Sequence, residues 1–163
     1  MTDTNQKLTV LTNFLQPSFP FAKVYSVFFM DNALVFAKTG SGGTNSAGTM
    51  SAALGGFTPI ALLARAIGTL FDSSSAQSRA DKTGQLASQS ATDIVDSNKM
   101  NFTIAFEAVK NVEIKGSNFG GELKVTIYAD KSHKFRIDRQ SNASAKYIID
   151  TFNQFFPGRV SIK

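Results

Sequence analysis

Asp130, Ser132 and His133 carry the letters of a hydrolytic triad and are the first residues to weigh for chemistry. A triad needs a nucleophile, a base and an orienting carboxylate that converge from separate positions. These three stand within four consecutive residues, which denies that convergence, so a structural turn is the expected reading. Gly40-Ser41-Gly42-Gly43 has the glycine content of a phosphate cradle, but no Lys-Ser/Thr follows and no helix start lies at the needed offset. It reads as a linker. Asp93 and Asp96 read as a solvated helix end rather than an acid–base pair. With no cysteine and one histidine, thiol nucleophiles, disulfide frameworks, zinc knuckles, iron–sulfur centres and multi-histidine metal sites are all excluded. The chain is therefore expected to be a non-enzyme, with no catalytic residue, metal or cofactor.

A binding chemistry is better supported. Lys131, Lys134, Arg136 and Arg139 fall within nine residues, close in sequence to Tyr128. Guanidinium and ammonium groups beside a phenol suit a phosphate or an anionic headgroup. A solvated strand face is the plainer explanation of such a cluster. The charge is unevenly spread: residues 1–98 carry six of each sign, whereas 99–163 carry eleven basic and six acidic residues. The overall excess of +5 is moderate, and no arginine-rich or stacking-aromatic motif appears, so nucleic acid is disfavoured.

The elements that must position these residues come next. The 163 residues suit one domain, 1–163. Met1–Lys7 lacks a basic start followed by an apolar run, which argues against a secretory leader and for a cytoplasmic setting. Asn101-Phe102-Thr103 and Asn142-Ala143-Ser144 are then chance sequon matches. Thr4 or Asn5 is placed to cap a short helix through Leu8, Leu11 and Leu15, stopped by Pro17. Val24–Met30 and Ala33–Lys38 flank Asp31-Asn32, a favoured two-residue turn. That turn pairs Phe29 with Leu34, Phe28 with Val35 and Val27 with Phe36, so both faces of the hairpin are apolar and both need covering.

Residues 39–98 differ in kind. Thirty-five of these sixty are Gly, Ala, Ser or Thr, including eight of the twelve glycines. They read as a low-complexity, partly helical insertion: connectors at Gly40–Gly48 and Asp72–Ser75, a helix over Ile60–Leu70, and a weaker one over Ser78–Val95. Ala52–Phe71 is a twenty-residue run with one charge. Arg65, Pro59 and three glycines argue against a membrane span. Small residues on one stripe, with Ala64 and Gly68 four apart, favour close helix packing. Leu54, Phe57, Ile60, Leu63, Ala64, Ile67, Gly68 and Phe71 are thus the expected self-association or membrane-contact residues.

Residues 99–156 return to alternation. Val112, Ile114, Leu123, Val125, Ile127, Phe135 and Ile137 share one face. Matching like with like places Ile114 opposite Leu123, Val112 opposite Val125, Ile127 opposite Phe135 and Val125 opposite Ile137. On the other face Lys115 then meets Glu122, and Lys124 meets both Glu113 and Asp138. Lys134 and Arg136 face Tyr128 and Thr126 with no acid opposite. Ser141 or Asn142 caps a final helix whose Ala145, Ile148, Ile149, Phe152, Phe155 and Phe156 form one stripe, ended by Pro157-Gly158.

The layout resembles bacterial pleckstrin-homology-like (PH-like) domain proteins of unknown function. The likeness rests on the hairpin ending in Val35-Phe36, the Ala/Gly-rich insert, the run from Asn101 to Ile114, Gly120–Val125, His133–Ile137 and the last helix. Ile104–Val109 sits where that family has an Ile-Pro-Tyr-Ser-Glu-Ile segment, with Ala105 in place of the proline. The resemblance implies an α+β, PH-like bent antiparallel sheet capped by the C-terminal helix, frequent self-association and no catalytic residues. The expected function is a non-enzymatic PH-like interaction module, a homo-oligomer assembled through the insert. The alternative is a peripheral membrane protein that binds anionic lipid through the basic strand and the apolar insert.

Overall fold

A computed structural model describes residues 9–18, 22–42, 74–116, 121–139 and 142–163. The whole of Ala52–Phe71, with its proposed contact residues Leu54, Phe57, Ile60, Leu63, Ala64, Ile67, Gly68 and Phe71, lies outside the described residues. β2 (Ala22–Phe29) and β3 (Ala33–Gly42) form the expected hairpin, with Phe29 opposite Leu34, Phe28 opposite Val35 and Val27 opposite Phe36. Met30 N–H donates to Ala33 C=O at 3.0 Å across Asp31-Asn32. β3 continues through Thr39–Gly42. Gly40, Ser41 and Gly42 therefore pair with β2 and are a strand end, neither connector nor cradle.

β1 (Thr9–Gln16) corrects the expected N-terminal helix. Leu11 pairs with Val27 and Phe14 with Tyr25, so β1 carries one extra residue between them. Asn13 takes the left-handed backbone there, φ 65°. This bulge resets the alternation and brings Leu11 and Phe14 onto the same core face. A spacing of three, which reads as helical, here comes from a bulged strand.

The sheet is completed by β4 (Phe102–Ala105), β5 (Asn111–Gly116), β6 (Gly121–Tyr128), β7 (Ser132–Arg139) and β8 (Val160–Ile162). Their order is β4-β3-β2-β1-β7-β6-β5-β8, antiparallel except for the β5–β8 pair at one edge. The sheet is strongly bent. Phe36 on β3 and Phe135 on β7 are three strands apart, roughly 14 Å along a flat sheet, yet their rings stack at 5.1 Å. Phe102, one strand further out, stacks on His133 at 5.2 Å.

The concave face holds the larger core. α3 (Asn142–Phe155) crosses it, placing Phe152 against Phe14 and Phe29, and Phe155 against Phe29 and Phe106. The apolar stripe read from the sequence is the buried one: Ala145, Ile148, Phe152 and Phe156 are buried, with Ile149 and Phe155 packed at the margin. The convex face of β1–β3 is also apolar, as its sequence demands. α1 (Ser74–Leu86) and α2 (Ala91–Asp96) cover it, setting Ala80, Leu86, Ala87 and Ile94 on Val10, Phe28, Val35 and Ala37. One helix over Ser78–Val95 was expected. Ser90 instead starts α2 by accepting from Asp93 N–H, so the segment breaks into two.

Candidate functional site

The convex face of β5–β7 has no such helical cover among the described residues, and it carries the charges. Its register differs from expectation by two residues. Val112 pairs with Ile127 and Ile114 with Val125, while Val125 pairs with Phe135 and Leu123 with Ile137. A slide of two keeps the same residues on the core face, but it replaces every charge partner. Lys115 now faces Lys124, and Lys124 faces Arg136, so three cations lie in a row across three strands. Glu122 faces Asp138 and Thr126 faces Lys134. The expected ladder of opposite charges is therefore absent.

Compensation is diagonal. Arg136 Nε lies 3.2 Å from Glu122 Oε1, which corrects the expectation that Arg136 has no acid. No aligned donor reaches that carboxylate oxygen, so the contact is Coulombic rather than a formed hydrogen bond. Glu113 is taken by Lys163 at 2.6 Å. Among the described residues, Lys115, Lys124 and Lys134 have no ion-pair partner. Tyr128 is exposed on the same face, opposite Ser132. Arg139 pairs through its backbone with Gly121. Lys131 leaves this cluster: it belongs to the β6–β7 turn and lines a cavity at the end of the concave face.

That cavity, of about 930 Å³, lies between β4 and the tip of the β6–β7 hairpin. Phe102, Tyr25 and His133 contribute its aromatic wall, and Lys23, Lys99 and Lys131 its cations. Tyr25 Oη donates to Met100 C=O at 3.2 Å, and burial pushes its phenol above the ordinary range. Asp130, Ser132 and His133 all line the cavity, but no hydrogen bond joins the three, so the nucleophile–base contact of a triad is missing. Lys23, Tyr25, Lys99 and Phe102 were not singled out from the sequence. Parity was the signal for His133: it alternates with Phe135 and Ile137 and so shares their core face.

His133 is only 8% exposed and stacks on Phe102 with 15° between the rings. Burial first, and then the Lys131 charge, hold its imidazole below the ordinary value of 6.5. The folded chain thus binds this proton less readily than the unfolded chain. The contribution of neutral His133 is complete above about pH 6.5 and is lost as pH falls through the lower folded value. Urea midpoints between about pH 7 and pH 5 should therefore decline more steeply for the wild type than for His133→Phe, which keeps an aromatic ring in the stack. Parallel profiles would remove His133 from the acid sensitivity.

No protein-family model, curated protein or solved structure matches the chain. Among the described residues, no helix is long and apolar enough to cross a membrane, and no group of histidines, cysteines or carboxylates is placed to hold a metal.

Proposed function

We propose that the chain is a non-enzymatic interaction module of PH-like type that binds an anionic surface through the convex face of β5–β7. The observation that carries this reading is the Lys115–Lys124–Arg136 row. Like charges directly opposite on neighbouring strands destabilise a sheet. An anionic partner laid over the row turns that repulsion into shared attraction. Lys134, next to the row along β7, and the exposed phenol of Tyr128 extend the same face. The bent sheet with its C-terminal helix supports the PH-like architecture without specifying a ligand. Self-association through Ala52–Phe71 rests on the sequence alone.

The test uses vesicles of phosphatidylcholine with and without phosphatidylserine. Lys124 and Lys134 are the residues to change, because Arg136 already has Glu122. Lys124→Ala with Lys134→Ala should weaken binding to the acidic vesicles by about thirtyfold, on the order of 1 kcal/mol per removed cation. The melting temperature should stay the same or rise slightly, since the change relieves repulsion. About 0.5 M salt should weaken the wild-type interaction, because exposed charges are screened. Undiminished binding in the double variant would eliminate this face.

A further inference from the structure

We infer a second binding surface, distinct from the cation row: the open edge of β4 accepts an extended acidic peptide as an added strand. Among the described residues β4 is the terminal strand of the sheet and pairs only with β3. Phe106 N–H donates to Asn32 C=O at 2.8 Å, which fixes the phase of the antiparallel ladder. Hydrogen-bonded pairs alternate along such a ladder. Ile104 and Phe102 therefore bond β3, opposite Leu34 and Phe36, while Thr103 and Ala105 turn their N–H and C=O groups away from it. The N–H groups of Thr103 and Ala105 and the C=O of Thr103 stand ready for a partner strand, while the Ala105 C=O caps the 3-10 turn Phe106–Ala108.

The space beside that edge is present. The cavity of about 930 Å³ runs along all of β4 and is bounded on its far side by Ala129–His133. A paired strand needs about 4.8 Å of lateral room. Edge strands are commonly guarded by charged residues or proline; Phe102–Ala105 contains neither. Chemistry at the rim selects the occupant. Lys23, Lys99 and Lys131 surround the space against the single carboxylate of Asp130, so the cavity favours acidic side chains. Phe102, Ile104 and Ala108 offer an apolar wall to the alternate residues of the same peptide. A strand alternating acidic and apolar residues satisfies both, the backbone supplying affinity and the alternation specificity.

The full chain is titrated by fluorescence anisotropy with a labelled octapeptide alternating Glu with Val, its Lys-for-Glu counterpart and inorganic phosphate. The acidic peptide should bind, the basic one at least about tenfold more weakly, since three cations face it. Backbone exchange should slow at Thr103 and Ala105 when the acidic peptide is bound. Thr103→Pro removes an outward N–H and leaves the β3 ladder intact, the position at which an edge strand tolerates proline. It should abolish peptide binding while the far-ultraviolet spectrum is kept. Should Thr103→Pro fail to fold, Lys99→Glu with Lys131→Glu serves in its place and should weaken binding at least about tenfold. Three outcomes overturn the inference: no binding of the acidic peptide at millimolar concentration, unchanged exchange at Thr103 and Ala105, or displacement of the peptide by phosphate without edge protection, which marks a small-anion site.

Discussion

Phe152→Ala is expected to lower the unfolding free energy by about 3–5 kcal/mol, the range for removing a large aromatic side chain from a packed core. Phe152 is fully buried in the C-terminal half of α3. Its ring meets Phe29 at 5.4 Å in an edge-to-face arrangement and Phe14 at 6.3 Å. These contacts join the helix to β1 and β2, strands that lie far from α3 in sequence. Truncation leaves a cavity that Phe29 and Phe14 cannot close, because each is already held by other rings. A drop of this size should lower the melting temperature on the order of 10 °C for a chain of this length. A loss under about 1 kcal/mol would mean that α3 does not cover the concave face.

Asn101→Ala should cost about 2–4 kcal/mol by a different route, the orphaning of buried polar groups. Asn101 is buried at the start of β4. Its Oδ1 accepts from Lys38 N–H at 2.7 Å, and its Nδ2 donates to Ile94 C=O at 2.6 Å and to Ser97 Oγ at 3.2 Å. One amide thus ties β3 to the end of α2, where Ile94 anchors the helix in the convex-face core. Alanine leaves the Lys38 donor and the Ile94 acceptor without that partner, each loss worth about 1–3 kcal/mol when water does not replace it. Urea unfolding measures the total, and exchange at the Lys38 amide should accelerate in step. If exchange at Lys38 is unchanged, the amide is not the group that protects it. The same burial explains why Asn101-Phe102-Thr103 has no room for a carbohydrate.

How much was legible in the sequence differs from element to element. The β2–β3 register was readable from the turn as far as Tyr25 opposite Lys38, because a two-residue turn leaves one pairing open, but not the bulge beyond it that puts Val24 opposite Gly40. The core stripe of α3 was readable for the same kind of local reason: spacings of three and four place side chains on one side of a helix. In β5–β7 alternation revealed which residues face the core, but not their partners. A period of two is blind to a slide of two, so the apolar match that chose the expected register was equally compatible with the observed one. The candidate anion site changed with it. Arg136 acquired Glu122, Lys131 left the cluster, and Lys115 and Lys124 joined it.

β1 was misread because Leu8, Leu11 and Leu15 have the spacing of a helix, whereas the bulge puts Leu11 and Phe14, not Leu15, in the core. β8 is three residues long, too short to carry a period. The sequence by itself determined what is local: hairpin parity, the amphipathic helix, two apolar faces on β2–β3 and the absence of thiols and of multi-histidine clusters. The tertiary structure decided the curl that brings Phe102 onto His133, the cavity beside β4 and the open backbone edge that lines it. Those features arise between residues distant in the chain, through ring packing across strands that are not hydrogen-bonded to one another, and no local period encodes such contacts.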